Sequence, residues 1–398
     1  MPEEATIKVL LKPGQEKRLL AGHDWVFSNE IASIDGKAEA GGLAEVRAAS
    51  GRPLGLAFHN PASLIACRML CAEPEPIDTG FFKKRLAAAL AFREKACPGE
   101  TSYRLCFGES DGLPGLVIDR YGSVLILQVL SAGIERRLPM VQEALGELLQ
   151  PRGIYLKNDH PTRDLEGLSR ESRLLAGALP EKVSISEAGL RFNAPVGDGT
   201  QKTGHYFDQR DNRVFLRPHF AGRVVVDLYC YTGAFAINAA KFGAKTVLGI
   251  DSSAPAASAA RENAKLNGVE AAVTFDEADA EAALESFASG RQPFVPDMIL
   301  LDPPSFVRSK KALPQAMRHY TKLNGQALRA LPRGGLLATS TCSHHVSRED
   351  FVTMLRYAQA RAQKPVRFLA LRGQAADHPV LLAMPETEYL HFALLEVL

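Results

Sequence analysis

From Thr6 to Cys71 the chain sets short apolar runs between polar breaks: TIKVLL, WVFSNEI, GGLAEVRA, PLGLAFHN and LIACRML, with Gly, Pro or Asp near the boundaries. Runs of this length and spacing predict a small β-rich barrel. EPEPIDTG at 73–80 breaks the pattern with prolines and acids, which favours an extended linker and puts a domain boundary near residue 75. FFKKRLAAALAFREKA at 81–96 then reads as an amphipathic helix. Beyond Pro98, GLVIDRYGSVLILQVL and GIYLKN are strand-like and IERRLPMVQEALGELL is helix-like. They form a central α+β subdomain over 76–195, closed by VSISEAGLRFNAPV, a hairpin pattern.

From 196 to 398 the pattern changes again. The strand-like runs RVVVDLY, KTVLGID, AAVTFDE, PDMILLDPP and GLLATST alternate with helix-like stretches such as GAFAINAAKFG and APAASAARENAKLNG. That alternation predicts an α/β, doubly wound parallel sheet. Ligands of such a sheet lie at the carboxyl ends of the strands.

Composition narrows the function classes. The 398 residues are 46% hydrophobic and 23% charged, and 47 Lys+Arg against 45 Asp+Glu leave a net charge of +2. This excludes disorder, collagen and a membrane-embedded chain, and any nucleic-acid site has to be local. The six cysteines (Cys67, Cys71, Cys97, Cys106, Cys230 and Cys342) lack metal-site spacing and read as reduced thiols, so no metal is expected. MPEEATIKVLLKPGQEKRL is unlike a signal peptide and no run is long enough to span a membrane, so the expected location is cytoplasmic.

The chemistry sits at the strand ends. Asp227, Asp251, Asp279 and Asp302 follow four successive strand-like runs. Each of the first two, taken singly, is equally well read as a helix cap. The dinucleotide fingerprint G-x-G-x-x-G is absent, and with the Asp302-Pro303-Pro304 turn this argues against a dehydrogenase. The carboxylate series resembles the class I S-adenosylmethionine-dependent methyltransferases, a Rossmann-like fold. The resemblance implies that Asp227 lies near the methionine portion of the cofactor, that Asp251 binds its ribose and that Asp279 contacts adenine. The usual first-loop glycines are replaced by Tyr229 and Tyr231, leaving Gly233. KTGHYFDQRDNR at 202–213 resembles the element of RNA cytosine-5 methyltransferases that closes over the cofactor. The expected S-adenosyl-L-methionine contacts are Phe207, Gln209, Asp227, Tyr229, Thr232, Gly233, Asp251, Ser252, Asp279 and Asp302.

Cys342 differs from the other cysteines, which read as small hydrophobes, because it ends a strand at the cleft rim and precedes His344 and His345. C5 of cytosine is too weak a nucleophile to take a methyl group from a sulfonium directly. A thiolate added at C6 makes C5 enamine-like, and a carboxylate such as Asp302 at the N3/N4 edge assists. STCS at 340–343 resembles the nucleophile motif of RNA cytosine-5 methyltransferases. Ser305 stands where many of those enzymes carry a second cysteine, which leaves Ser305, His344, His345 or a water as the proton-abstracting base.

One lineage has a single cysteine. WVFSNEI at 25–31, GESDGLPGLVIDRYG at 108–122, KTGHYFDQRDNR, DLYCYTGAF at 227–235, LDPPSFVRSKK at 301–311 and STCSHH at 340–345 resemble the bacterial large-subunit (23S) ribosomal RNA cytosine-5 methyltransferase family, type I. The resemblance implies that the N-terminal barrel is a PUA domain, an RNA-binding module, and that DHPVLLAMPETEYL is the family's last hairpin. It implies transfer of a methyl group to C5 of a cytosine in 23S RNA, free or within an assembling subunit. Pro303, Pro304, Phe306, Arg308, Lys310 and Lys311 are the expected substrate contacts, with Arg318 and Lys322 extending a basic rim. Phe306 and Tyr320 read either as stacking surfaces for an unstacked base or as core. Two other readings stand beside this one: guanine methylation of the same RNA without a cysteine nucleophile, and a non-catalytic RNA-binding or ribosome-assembly protein. A homodimer is compatible with the sequence, which leaves the oligomeric state open.

Overall fold

The structure, a computed structural model, describes residues 6–197, 199–200, 203–307 and 310–398, without the side chain of Lys310. Two compact units emerge. One runs to Val183 and adds Pro195–His205 and Ala376–Thr387; the other comprises Ser184–Ala194, Tyr206–Ala375 and Glu388–Leu398.

The first unit holds two sheets. Strands β1 (Ile7–Leu11), β2 (Trp25–Phe27), β3 (Ile31–Asp35), β4 (Gly42–Arg47), β5 (Pro53–His59) and β6 (Ile65–Cys71) pair in the order β2-β6-β5-β4-β1-β3. Alternation along β1 buries Ile7, Val9 and Leu11, which meet Val26, Val46 and Cys67 in one apolar cluster. The short helix α1 (Lys17–Leu20) precedes β2. Helix α2 (Thr79–Ala96) starts where the Asp78 carboxylate accepts the Phe81 N–H at 3.0 Å, two residues before the expected start.

β7 (Ser102–Phe107), β8 (Leu116–Tyr121), β9 (Val124–Val129), β10 (Gly153–Lys157) and β11 (Ser172–Gly177) form the second sheet. The single helix expected over IERRLPMVQEALGELL is two, α3 (Ala132–Arg136) and α4 (Leu138–Leu149). Pro139 explains the break, since it lacks the N–H needed to continue a helix but suits a first turn.

Three of the quoted motifs lock this unit together. The Trp25 indole N–H and Arg68 both donate to Glu109, each at 2.8 Å, and Arg93, fully buried, pairs with Asp111. Asp119 accepts from Thr203 at 2.5 Å, and the Tyr121 hydroxyl accepts the His205 N–H at 2.9 Å. The expected last hairpin is a correction: residues 377–390 form one isolated bridge, Leu381 to Met384, and a short 3-10 turn, Pro385–Thr387. Pro379 and Pro385 cannot donate to a ladder there.

The hairpin β12 (Lys182–Glu187) and β13 (Leu190–Pro195) leads to α5 (Arg210–Leu216). β14 (Val224–Leu228), β15 (Thr246–Asp251), β16 (Val273–Glu277), β17 (Met298–Leu301) and β18 (Leu336–Thr341) are parallel, as expected from the alternation. The sequence reading missed β19 (Val366–Arg372) and β20 (His391–Val397), which complete a seven-stranded sheet ordered β16-β15-β14-β17-β18-β20-β19 with β20 antiparallel to both neighbours. Helices α6 (Ala234–Lys241), α7 (Ala254–Leu266), α8 (Ala280–Ala288), α9 (Leu313–Ala330) and α10 (Arg348–Ala362) pack against it, and Leu228, Leu301, Leu337, Leu323 and Phe351 form a core under α8, α9 and α10. Strand order reverses between β14 and β17, so a crevice opens between the loops that follow them. No helix among the described residues is long and apolar enough to cross a membrane.

Candidate functional site

The loop after β14 carries a backbone that residues other than glycine rarely adopt. Tyr229, Tyr231 and Gly233 all have left-handed φ, +62°, +48° and +82°. The two tyrosines therefore take the conformation that glycines usually supply, at a cost of about 1–3 kcal/mol each that a packed surrounding has to offset. At Gly233 a side chain is excluded, since a Cβ would lie 2.8 Å from the Phe275 ring. The loop turns back on the neighbouring strand: the Tyr231 N–H donates to Asp251 at 2.9 Å, and the other Asp251 oxygen accepts the Ser253 N–H at 2.9 Å. Each oxygen keeps a second lone pair, so the carboxylate can also accept two hydroxyl donors. Thr232 is buried and Ser252 exposed.

Asp227 caps α6, accepting the Ala236 N–H at 2.9 Å. Burial, with Asp302 and Asp251 nearby, pushes its carboxyl well above the ordinary range. Asp279 is exposed and caps α8 through the Ala282 N–H at 2.7 Å. The capping reading thus holds in part for Asp227 but not for Asp251, which ties two loops and leaves the N-cap of α7 to Ser253; Asp279 is a cap that the sequence reading did not name as one.

Asp302 and Cys342 end adjacent parallel strands, with Leu301 in register with Thr339. Ser340 donates to Asp302 Oδ1, and the Gln209 amide nitrogen reaches the same oxygen at 3.1 Å and Ser340 Oγ at 3.2 Å. Cys342 is half-buried, and none of the six cysteines is in a disulfide. Burial pushes Cys67 up to about 12 and Cys106 and Cys230 well above the usual thiol range, as fits inert core thiols.

Phe207, Asp208 and Gln209 are buried in the segment preceding α5. Glu187 pairs with Arg213 through bonds of 2.7 and 2.6 Å, Arg213 donates to the Tyr206 carbonyl at 2.9 Å, and the Tyr206 ring stands edge-on to Tyr231. The Tyr389 hydroxyl donates to Asp208 at 2.7 Å, and its ring packs on His344. None of Glu187, Ser340, Tyr389 or Arg372, whose guanidinium donates to Asn212 at 3.0 Å, was among the expected site residues. Asn212 and Arg213 lie inside the quoted 202–213 motif, but Glu187 and Arg372 carry no sequence signal.

Beyond β17, Pro303 is buried while Pro304 and Ser305 are exposed. Tyr320 is core, 1% exposed, and Phe306 packs between it and His319 at centroid distances of 4.9 and 4.4 Å. The core reading therefore holds for Tyr320. Lys311 and Arg318 are exposed and Lys322 is half-buried; Arg308 lies outside the described residues, as does the side chain of Lys310. Among the described residues no group of three or more His, Cys, Asp or Glu could hold a metal ion.

Comparison with known proteins completes the picture. A PUA-like domain model matches residues 9–72, and an S-adenosylmethionine-dependent methyltransferase model matches residues 160–367. The ribosomal RNA large subunit methyltransferase I of Erwinia tasmaniensis is 38% identical over 97% of this chain and 98% of its own length. The chain belongs to the ribosomal RNA large subunit methyltransferase I family. The Shewanella denitrificans relative of the same name is 39% identical over 96% of this chain and 98% of its own. A solved methyltransferase structure complexed with SAH shares the fold, with a TM-score of 0.85 at 22% identity over 98% of this chain and 100% of that one. The cofactor of the matched family is S-adenosylmethionine, which supplies an electrophilic methyl group on a sulfonium. The residues present fit it: the Asp251 carboxylate has acceptor capacity for a ribose diol, beside a glycine-like loop at the switch point.

Proposed function

We propose that this protein transfers a methyl group from S-adenosylmethionine to C5 of a cytosine in large-subunit ribosomal RNA, with Cys342 as the nucleophile. The supporting observation is that a half-buried thiol, Cys342, and a carboxylate, Asp302, both stand at the ends of adjacent strands beside the loop after β14. The names of the full-length relatives support the RNA class.

In this reading Asp251 accepts the ribose hydroxyls, Asp279 meets the adenine edge, and Asp227, Tyr229, Thr232, Gly233, Ser252 and Phe207 shape the rest of the cofactor pocket. The Cys342 thiolate adds to C6, and the electron pair displaced onto the ring is balanced by a proton at N3, held by Asp302. C5 then bonds to the methyl carbon as its bond to sulfur breaks. Loss of the C5 proton to a base, expulsion of the thiolate and return of the N3 proton to Asp302 restore the neutral aromatic ring. Ser305, His344, His345 or a water remain the candidates for that base. Lys311 and Arg318, with Arg308 and Lys310, supply phosphate contacts, and Pro303, Pro304 and Phe306 border the base. We assign residues 1–75 to RNA binding, 76–195 to a bridging subdomain and 196–398 to catalysis, in a cytoplasmic enzyme.

Mass spectrometry of ribosomal RNA from cells with and without the gene tests the reading. A 5-methylcytidine present only with the gene is expected. An unchanged RNA, or loss of a methylguanosine instead, would overturn it.

A further inference from the structure

Behind Gln209 stands a buried amide that is neither an expected base contact nor an expected cofactor contact. Asn212 is fully buried on α5, and its amide is satisfied on three sides. Its oxygen accepts from Arg372 Nε at 3.0 Å, and its nitrogen donates to the Gly373 carbonyl at 3.1 Å and to Gln209 Oε1 at 2.8 Å. Those three bonds fix which way the Asn212 amide faces, because an amide's oxygen only accepts and its nitrogen only donates. Gln209 is fixed in turn. With its oxygen committed to Asn212, its nitrogen faces Asp302 Oδ1 and Ser340 Oγ.

We infer that Arg372, Asn212 and Gln209 form a positioning relay that sets the orientation of the Asp302 carboxylate, an inference that rests on the proposed role of Asp302 at the base. Two donors, Gln209 Nε2–H and Ser340 Oγ–H, converge on one oxygen of Asp302. A carboxylate turns freely about its Cβ–Cγ bond in solution; pinning one oxygen from two directions fixes the plane and hence the heading of the other. That heading matters because a base edge presenting N–H donors needs an acceptor in a defined direction, and small errors in placement are expensive in rate. Gln209, expected among the cofactor contacts, acts in this account through Asp302. Arg372 and Asn212 are positioning residues with no contact to reacting atoms.

The donor polarity of the relay makes the test specific. Asn212→Asp keeps an acceptor for Arg372 but removes the donor to Gln209, so the Gln209 amide turns over and presents its oxygen to Asp302. Steady-state methylation of ribosomal RNA from cells lacking the gene is followed as 5-methylcytidine, alongside calorimetric binding of S-adenosylhomocysteine. The expected result is a kcat lower by about 10- to 100-fold with the affinity for S-adenosylhomocysteine changed less than about threefold. Arg372→Met, at a half-buried position, gives a second reading if the first variant does not fold, with kcat lower by roughly 3- to 10-fold and the same unchanged affinity. Unchanged kcat in the folded variants would overturn the relay, as would parallel loss of cofactor affinity and kcat, the mark of a merely structural role. A wild-type enzyme that makes no 5-methylcytidine would overturn the proposed function itself, and that arm is read first.

Discussion

Glu187→Gln is the sharpest perturbation of the segment that precedes α5. Glu187 and Arg213 are each 2% exposed, joined by two bonds of 2.7 and 2.6 Å, and a second guanidinium, Arg210, lies 3.9 Å from the same carboxylate. An amide of equal size removes the charge and turns one acceptor into a donor aimed at a guanidinium. Breaking a buried pair from one side costs about 3–5 kcal/mol, because the remaining charge is left uncompensated. At 1.36 kcal/mol per decade, the lower bound predicts exchange of local amides faster by about 100-fold where opening limits it. Hydrogen exchange read by mass spectrometry on peptides covering 184–194 and 206–213 is the assay. The double variant Glu187→Met with Arg213→Met should recover much of the loss, since apolar replacement of both partners removes the stranded charge. Exchange in both peptides within about threefold of wild type would refute the reasoning, and so would additive losses in the double variant.

Gly233→Ala forces a Cβ into a left-handed residue 2.8 Å from the Phe275 ring, and about 2–4 kcal/mol of destabilisation is expected in chemical denaturation of the variant. Asp251→Ala removes the acceptor of two loop N–H groups and of the proposed ribose contacts; S-adenosylhomocysteine should bind at least about 30-fold more weakly by calorimetry. Asp24 is raised from 3.8 to about 6, by burial first and Glu109 second. The folded state therefore holds this proton more tightly than the unfolded chain, so the contribution of Asp24 is most favourable below pH 4 and is lost as pH rises to about 6. Asp24→Asn should gain on wild type by on the order of 1–2 kcal/mol between pH 4 and 7, discounted for its partial access to water, as read from denaturation at each pH.

The core of the catalytic sheet was legible because buried parallel strands announce themselves as continuous apolar runs. RVVVDLY and PDMILLDPP became β14 and β17 with Asp227 and Asp302 at or just past their ends. β19 and β20 were missed because their order in the sheet is non-sequential, and the apolar run HFALLEV at 391–397 gives no sign of the strand it will pair with. Local signals failed where a proline decided the outcome, at the break before α4 and in the expected last hairpin. The tyrosines after β14 looked like departures from a glycine-rich loop, yet they hold the glycine-like backbone, which only coordinates reveal. The relay to Asp302 was invisible for another reason. Arg372 and Asn212 lie 160 positions apart in the chain, and an Asn or Arg in isolation carries no message about its partner.

The direct measurement of the central claim is the mass of the peptide containing Cys342 after incubation with S-adenosylmethionine and target RNA carrying 5-fluorocytidine. Fluorine at C5 cannot leave as a cation, so a methylated adduct formed through C6 is trapped. The account predicts a nucleotide adduct on Cys342 and none on the other five cysteines, with Cys342→Ala abolishing both adduct and turnover. Full turnover by Cys342→Ala, or an adduct at any other residue, would contradict it.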